Sequence, residues 1–259
     1  MNRRLKIGAV SYLNTMPLLY GIERSPVRND IDLITDYPSS VASQLLEGKI
    51  DIGLVPVAII PELPYAEIIG DYCIGADKAV ASVCIFSQVP MEQIETVVLD
   101  YQSRTSIALA QVLLQKHWKK SVVFKAAKPG FENEIQGTTA AVVIGDRALQ
   151  LLSTMPYAYD LAEAWQAFTG LPFVFAAWVA NKPIPASFVQ AFNEANALGL
   201  AHIDEVVKMN ADYPYDLQEY FRQNISYHLT AEMKTGLELF LNYLKAEWQA
   251  PAFSNASNF

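Results

Sequence analysis

Strand and helix signals alternate through the first two-thirds of this sequence, and this alternation constrains the fold more than any other feature. The apolar run Lys6–Val10 is followed by a helical segment at Pro17–Ile22. The strand-like run Ile31–Thr35 is followed by apolar residues at helical spacing that Gly48 ends. Strands that alternate with helices of this length are typical of α/β proteins, whose parallel strands need a crossover connection. The sequence therefore predicts an α/β fold.

A second α/β block follows the first. Strand Thr96–Leu99, helix Ser103–Trp118 and strand Ala140–Ile144 repeat the alternation, whereas the pattern from Ala186 onward is almost wholly helical. We expect two lobes, the second inserted into the first, with a mixed sheet in each, C-terminal helices and a small-molecule cleft between them. The expected boundaries are 1–88 and 177–259 for the first lobe and 89–176 for the second.

Charge and hydropathy exclude several classes of partner. The chain has 259 residues, with 19 Lys and Arg against 27 Asp and Glu and a formal net charge of −8. A nucleic-acid interface needs clustered positive charge, so nucleic acid is not an expected partner. The sequence has no apolar run of about 20 residues, so no membrane span is expected. The start, MNRRLKIGAV, does not resemble a signal peptide, and we expect a cytoplasmic protein.

The common catalytic and metal-binding signatures are missing from the sequence. It has no HExxH, GxSxG, P-loop or GxGxxG motif. None of the three histidines, His117, His202 and His228, lies at a predicted strand-to-helix junction. The simplest interpretation of His117 is that it lies at a solvated helix end. Cys73 and Cys84 lie outside any CxxC spacing and are expected to be buried thiols in a reducing compartment. No metal site is expected.

Hydrogen-bonding residues lie where the first strand ends and the first helix begins. The segment VSYLNTMPL places Ser11, Tyr12, Asn14 and Thr15 directly ahead of Pro17, a residue favoured in the first turn of a helix. Asn14 is most simply a turn-forming residue. A ligand contact is the alternative.

Small polar residues open three further helices. The segment SRTS, Ser103–Ser106, either caps its helix or holds a carboxylate at the positive end of the helix dipole. Arg104 either pairs with an acid in the cleft or lies on the surface. The segment PSS with Ser40 has the same two interpretations, and here capping is favoured. Gly145 and Asp146 open another helix, in which Asp146 is most simply the N-terminal cap.

Aromatic residues cluster around the segment TGLPFVFAAW. Most of them are expected in the core, whereas Phe175 and Trp178 could instead form the wall of a pocket for a flat ring.

Six segments carry a family resemblance when they are taken together and in order. They are IGAVSYLNTMPL, PSSVASQLLEGKIDIGLVP, YCIGAD followed by ASVCIFS, VVLDYQSRTSIAL, AAVVIGDRAL and YDLAEAWQAFTGLPFVFAAW. As a set they resemble the chorismate dehydratase family of the futalosine-dependent menaquinone pathway, which has the type II periplasmic-binding-protein fold. The chain departs from that pattern at GADKAVASV, where Lys78 and Ala79 replace a glycine-containing turn. Ser82 still matches the serine that faces the substrate.

The resemblance implies the elimination of water from chorismate to give 3-[(1-carboxyvinyl)oxy]benzoate, with no metal or other cofactor. The substrate is then a small dicarboxylate, and the resemblance assigns catalytic roles to Asn14 and Ser82. The residues expected to contact the substrate are Ser11, Tyr12, Thr15, Ser40, Ser103, Arg104, Thr105, Ser106, Gly145, Asp146 and Trp178.

Two other functions fit the same fold. One is a cytoplasmic solute-binding or sensor protein that binds a ligand without converting it. The other is the sister enzyme of the pathway, which makes a dihydroxynaphthoate from cyclic dehypoxanthine futalosine.

Overall fold

The computed structural model describes residues 4–248, which form two compact units. Unit 1 comprises residues 4–75 and 174–230, and unit 2 comprises residues 76–173 and 231–248. Both units are therefore discontinuous in the chain. Residues 76–88 and 231–248, which the sequence analysis assigns to the first lobe, belong to unit 2.

Eleven strands and nine α-helices can be traced within residues 4–248. The strands are β1 (Leu5–Val10), β2 (Ile31–Asp36), β3 (Ile52–Pro56), β4 (Glu67–Ala76), β5 (Val83–Ser87), β6 (Thr96–Leu99), β7 (Val123–Ala126), β8 (Thr139–Ile144), β9 (Tyr157–Asp160), β10 (Phe173–Ala180) and β11 (Ser226–His228). The α-helices are α1 (Met16–Arg24), α2 (Pro38–Leu46), α3 (Arg104–Val112), α4 (Asp146–Leu151), α5 (Leu161–Thr169), α6 (Ala186–Ala201), α7 (Ile203–Met209), α8 (Leu217–Glu219) and α9 (Ala231–Trp248). Short 3₁₀ segments are Leu13–Thr15, Pro26–Asn29, Val57–Glu62, Met91–Gln93 and Phe131–Glu134, and π-type turns are Leu113–His117 and Tyr220–Asn224. Among the described residues, no helix is long and apolar enough to cross a bilayer.

Unit 1 is built on a six-stranded mixed sheet with the order β11-β4-β10-β3-β1-β2. Strand β1 is parallel to β2 and β3, whereas β10 is antiparallel to β3. The carboxyl ends of β1, β2 and β3 therefore lie at one edge of the sheet. Residues that directly follow these strands meet at this edge.

Unit 2 is built on a five-stranded mixed sheet with the order β7-β6-β8-β5-β9. Strand β6 is parallel to β7 and β8, and β5 is antiparallel to β8 and β9. The register pairs Val83, the first residue of β5, with Ile144, the last residue of β8. The residues before β5 consequently lie beside the residues that follow β8.

Two contacts explain why unit 2 takes segments that were expected in the first lobe. Strand β5 pairs with β8 and β9, so it belongs to the sheet of unit 2. The residues just before β5 therefore belong to unit 2 as well. The ring of Phe240, on α9, is fully buried, with its centroid 4.9 Å from that of Phe173 and 6.0 Å from that of Trp165. These apolar contacts attach the C-terminal helix to unit 2.

Two glycines let α1 and α6 approach closely within unit 1. A Cβ atom added to Gly21 would lie 1.9 Å from the Ala195 carbonyl oxygen, and one added to Gly199 would lie 1.8 Å from the Pro17 carbonyl oxygen. The two helix backbones are thus in direct contact, which no larger side chain permits at these positions.

The structure differs from the predicted elements in three places. Strand β9 was not predicted, because Tyr157–Asp160 is a short edge strand without an apolar run. The largely helical C-terminal third also contains the three-residue strand β11, so His228 lies in a strand. The helix predicted over Ser103–Trp118 is α3 followed by the π-type turn Leu113–His117.

Candidate functional site

Asn14 lies on the 3₁₀ turn that follows β1 in unit 1. Its side chain is partly exposed, and its Oδ1 atom accepts a hydrogen bond of 3.2 Å from the hydroxyl of the buried Thr15. Tyr12 is the extended residue that precedes the turn, and Ser11 is exposed with its N–H bonded to the Asp36 carbonyl. The segment VSYLNT therefore lies at the carboxyl edge of the unit 1 sheet.

A tyrosine from the far end of unit 1 fixes this turn. The Tyr227 hydroxyl donates a 2.9 Å hydrogen bond to the backbone carbonyl of Asn14. Tyr227 belongs to β11 and is buried, and this burial raises the pKa of its phenol well above the ordinary value. The phenol is therefore a stable donor at physiological pH. The sequence analysis did not find Tyr227, because nothing local links it to Asn14.

Ser40 lies at the same edge but does not cap its helix as expected. Its hydroxyl donates to a carboxylate oxygen of Asp36, the last residue of β2, and accepts a 3.3 Å hydrogen bond from Gln44 Nε2. The N-cap of α2 is Tyr37, which makes no side-chain cap bond. Pro38 occupies the first turn, where its fixed φ suits a helix start without a polar cap.

Ser82 lies at the corresponding edge in unit 2, just before β5. Its side chain is 1% exposed, and its Oγ atom has no hydrogen-bond partner among residues 4–248. Its carbonyl accepts a 2.8 Å hydrogen bond from the N–H of Gly145, which follows β8. A buried hydroxyl without a partner is uncommon in proteins, because its desolvation is not compensated. A ligand atom would compensate it.

The segment SRTS caps α3, as one of the two sequence interpretations predicts. Ser103 Oγ accepts the Ser106 N–H at 3.3 Å and lies 3.0 Å from Ser106 Oγ. Ser103, Thr105 and Ser106 are buried, whereas Arg104 is partly exposed. Because β6 is parallel to β8, the start of α3 lies at the same sheet edge as the start of α4. Carboxylate binding by these residues stays a prediction.

Gly145 rather than Asp146 is the N-cap of α4, which corrects the prediction for this helix. Gly145 has φ 64° and ψ −146°, a conformation open almost only to glycine, and Asp146 is the first residue of the helix. The sharp turn lets the chain leave β8 and start α4 while the Gly145 N–H still reaches Ser82.

An arginine network that the sequence analysis missed stabilises this edge of unit 2. Arg147 donates to Asp100 Oδ2 at 2.6 Å, to Glu132 Oε1 at 2.7 Å and to Gln102 Oε1 at 2.9 Å. Asp100 directly follows β6 and is fully buried, and this burial raises its pKa although the Arg147 charge opposes the shift. The network ties the loop that carries Ser103 to the start of α4. An aspartate at the end of the apolar run VVLD is the signal that could have indicated it.

Trp178 lies in the core of unit 1. Its side chain is fully buried on β10, with its ring centroid 4.9 Å from that of Phe192 in an edge-on arrangement. Its indole N–H finds no hydrogen-bond partner in the part of the chain that the structure describes. A contact of Trp178 with substrate therefore stays a prediction.

The histidines and cysteines lie in packed or structural positions. His117 contacts the Trp118 and Phe168 rings, and His202 stacks on Tyr20. The thiols of Cys73 and Cys84 are both buried. Within residues 4–248, no group of three or more His, Cys, Asp or Glu side chains is arranged to hold a metal ion.

Comparison with protein families identifies the group to which this chain is related. A family model described as menaquinone biosynthesis matches residues 5–246. The chain belongs to this menaquinone biosynthesis family. The match runs through both units, so it includes every residue discussed above.

Two curated relatives agree with the menaquinone biosynthesis family. The chain is 28% identical to a chorismate dehydratase of Thermus thermophilus, with 95% of this chain and 97% of the relative covered. It is 27% identical to a chorismate dehydratase of Campylobacter jejuni, with 92% and 97% covered. The resemblance drawn from the sequence motifs is thereby confirmed.

Solved structures show which fold this member of the menaquinone biosynthesis family has. A protein of Archaeoglobus fulgidus matches with a TM-score of 0.73 at 10% identity, covering 95% of this chain and 98% of that one. The periplasmic aliphatic sulphonate binding protein SsuA of Escherichia coli matches with a TM-score of 0.63 at 16% identity, covering 97% and 89%. The alkanesulfonate-binding protein SsuA of Xanthomonas axonopodis pv. citri, bound to MOPS, matches with a TM-score of 0.64 at 15% identity, covering 96% and 94%. The fold is periplasmic-binding-protein-like, which confirms the predicted fold class.

Proposed function

We propose that this chain is a chorismate dehydratase that eliminates water from chorismate to give 3-[(1-carboxyvinyl)oxy]benzoate. Membership of the menaquinone biosynthesis family and two relatives of that name support the proposal. The structural observation that carries it is Ser82, a buried hydroxyl without a partner in the described chain, next to the start of α4 and at the same sheet edge as the start of α3. Such a hydroxyl is suited to a polar atom of a bound substrate.

The proposed substrate is an anion with two carboxylates, and unit 2 offers a site for one of them. Thr105 and Ser106 lie in the first turn of α3, where backbone N–H groups and the helix dipole favour a negative charge. Arg104, partly exposed on the same turn, adds a positive charge. In the proposal these three residues bind a substrate carboxylate.

The chemistry requires one proton transfer and the loss of one hydroxyl group. The bond between C3 and its hydrogen breaks, and the electron pair forms the new double bond between C3 and C4. The bond between C4 and its oxygen breaks, and the group that accepts the C3 proton passes it to the departing hydroxyl, which leaves as water. The ring becomes aromatic, which drives the reaction without any change in oxidation state.

The proposal uses the substrate's own enolpyruvyl carboxylate as the acceptor of the C3 proton. Asn14 and Ser82 then orient the ring, this carboxylate and the departing hydroxyl. Both side chains are uncharged, so they act through positioning and hydrogen bonding, which are recognised contributions to rate acceleration.

The direct test is to incubate the purified full chain with chorismate, with no cofactor added, and to follow the aromatic product by absorbance. We expect turnover by the unchanged chain and a loss of roughly a hundredfold or more in kcat for Ser82→Ala and Asn14→Ala. Ser87→Ala is the matched control, because Ser87 is a buried serine at the other end of β5, where its hydroxyl accepts the Val89 N–H. Full turnover by Asn14→Ala would refute the role given to that residue.

Other results of the same assay point to other functions. Binding of chorismate without turnover would indicate a ligand-binding or sensor protein, as the names of the structurally similar SsuA proteins suggest. Turnover of cyclic dehypoxanthine futalosine in place of chorismate would indicate the sister enzyme. Loss of turnover after replacement of one histidine, with the fold intact, would exclude the substrate carboxylate as the proton acceptor.

A further inference from the structure

Ser82 is presented by a backbone turn that an alanine does not readily adopt. Ala81 has φ 63°, in the left-handed region, and the Ser82 N–H donates a 2.7 Å hydrogen bond to the Val80 carbonyl two residues earlier. A three-residue turn of this kind is rare and strained, because the Cβ of an L-residue crowds the backbone at positive φ. Such strain persists only where neighbouring groups enforce the conformation.

Asp160, the last residue of β9, supplies the restraint. Its Oδ2 atom accepts the Ala81 N–H at 2.7 Å, and its Oδ1 atom accepts the N–H groups of Ala162 at 2.9 Å and Glu163 at 3.1 Å. One carboxylate thus holds the Ala81 turn and caps α5. These N–H donors oppose the effect of burial, which raises the pKa of Asp160.

Cys84, on β5, also contacts Ala81 and Asp160. The β5–β9 register pairs Cys84 with Asp160, and the thiol lies 3.5 Å from the Ala81 carbonyl oxygen and 3.9 Å from Asp160 Oδ2. Residue Ala81 is therefore held at its N–H by Asp160 and at its carbonyl oxygen by Cys84. The short carboxylate bond is the stronger of the two, because hydrogen bonds to ionised acceptors are stronger than those from a thiol.

We propose that Asp160 is a positioning residue that holds the Ala81 turn in its left-handed conformation and so fixes the Ser82 hydroxyl for reaction. The inference rests on the proposed function, because it assigns Asp160 to the site in which Ser82 acts. Asp160 touches the backbone of Ala81 and reaches the reaction only through that turn.

The first experiment measures steady-state turnover of chorismate by Asp160→Asn and Asp160→Ser in the full chain. Both replacements can still cap α5, but asparagine presents an N–H donor toward the Ala81 N–H, and serine is too short to reach it. We expect kcat to fall about tenfold to a hundredfold, while KM changes by less than about threefold, because a misplaced hydroxyl affects the transition state more than binding. Having both variants keeps the test valid if one fails to fold.

The matched control is Asp216→Asn. Asp216 caps α8 with Oδ1 in the same way, accepting the N–H groups of Gln218 at 2.9 Å and Glu219 at 3.1 Å, but it holds no strained turn. We expect unchanged kcat for this variant. Equal losses in the two asparagine variants would reduce the role of Asp160 to helix capping and overturn the inference.

A rescue variant separates positioning from a structural role. In the double variant Ala81→Gly with Asp160→Asn, the turn needs no restraint against strain, because glycine adopts positive φ without a steric penalty. We expect most of the lost kcat to return. A missing cap on α5 would not be repaired by a change at position 81, so failure of the rescue would overturn the inference.

Amide hydrogen exchange at Ala81 tests, independently of activity, whether Asp160 restrains the Ala81 turn. We expect a protected Ala81 N–H in the unchanged chain and in Asp216→Asn, and faster exchange in Asp160→Asn. If the unchanged chain fails to turn over chorismate, the proposed function is wrong, and the exchange data still test the restraint. If it is active and Asp160→Asn has both the same kcat and the same Ala81 protection, the inference is wrong and the proposed function stands.

Discussion

Tyr227 and Asn14 lie 213 residues apart in the chain, yet one hydrogen bond joins them within unit 1. The phenol reaches the backbone of the turn and leaves the Asn14 side chain to other contacts. We expect Tyr227→Phe to lower kcat roughly threefold to tenfold, because losing one hydrogen bond costs about 1 kcal/mol and loosens the turn. The measurement is steady-state turnover of chorismate, with an unchanged circular dichroism spectrum as the check on folding.

Tyr72→Phe is the control for this prediction. Tyr72 is a buried tyrosine on β4, the strand that pairs with β11, and its ring packs against His228. Its hydroxyl is removed without any change at Asn14. Equal effects of the two replacements would show that the Asn14 turn does not depend on Tyr227.

Cys73 gives a prediction about pH. Burial raises the pKa of its thiol from 9.0 to about 12. Between these values the unfolded chain releases the thiol proton and the folded chain keeps it, so the free energy of unfolding falls as pH rises through this window. In Cys73→Ala this thiol is absent, so we expect the free energy of unfolding to fall less steeply with pH than in the unchanged chain, by up to about 1.4 kcal/mol for each pH unit. Urea unfolding of both chains at pH 8, 9 and 10 measures the difference, and identical slopes would contradict the raised pKa.

Single residues were predictable from the sequence where their neighbours in the chain explain them. Asn14 and Ser103 follow strands and precede helices, so their positions could be inferred from local pattern. Asp160 and Tyr227 could not, because each acts on a turn 79 or 213 residues away. Long-range hydrogen bonds leave no periodic signal in the sequence.

At the scale of elements, the contact between α1 and α6 leaves no room for a side chain. A Cβ on Gly199 would lie 1.8 Å from the Pro17 carbonyl oxygen, a backbone atom that cannot move aside without shifting the helix. We expect Gly199→Ala to lower the free energy of unfolding by about 1–3 kcal/mol or more through overpacking. Urea denaturation measures the change.

Ser187→Ala provides the control on the same helix. Ser187 is exposed near the start of α6, and its replacement by alanine adds no bulk. We expect this variant to change the free energy of unfolding by less than about 0.5 kcal/mol. Because alanine is a better helix former than glycine, propensity alone would make Gly199→Ala stabilising. A stabilised Gly199→Ala variant would therefore show that the helices separate easily.

Most strands and helices followed from hydrophobic pattern, and the exceptions have physical reasons. Strand β6 occupies Thr96–Leu99 as predicted, because a buried strand needs a continuous apolar run. Strand β9 has an exposed Tyr157 and a half-buried Tyr159, and β11 is only three residues long, so neither has the pattern of a buried strand. The start of α4 was misassigned because aspartate is a common cap, while the backbone there requires glycine.

At the scale of the whole molecule, the division into two units predicts which sheet loses hydrogen-exchange protection when a core side chain is removed. Phe240 is buried in unit 2 against Phe173 and Trp165, and Phe192 is buried in unit 1 against Trp178. We expect Phe240→Ala and Phe192→Ala each to cost about 3–5 kcal/mol. Native-state hydrogen exchange should show lost protection in β6 and β8 for Phe240→Ala, and in β1 and β3 for Phe192→Ala. Equal loss in both sheets for both variants would contradict the division.

The class of fold was predictable because alternating strands and helices allow few arrangements. The membership of each segment was not, since strand signals give no partner. Residues 76–88 belong to unit 2 because β5 pairs with β8 and β9, and α9 belongs there because Phe240 packs on Phe173. Both facts depend on pairings between segments that are distant in the chain.

The discontinuity of both units has a consequence for folding during synthesis. Strands β1 to β3 leave the ribosome well before β10, which pairs with β3 and begins about 115 residues after β3 ends. At about 5–20 residues per second, the edge of β3 stays open for roughly 5–20 s. The apolar surface of Trp165 and Phe173 likewise stays uncovered until α9 is made, about 60 residues after Phe173. A nascent chain of this protein therefore exposes the apolar core of unit 2 until α9 emerges, and this is the stage at which we expect chaperones to bind it.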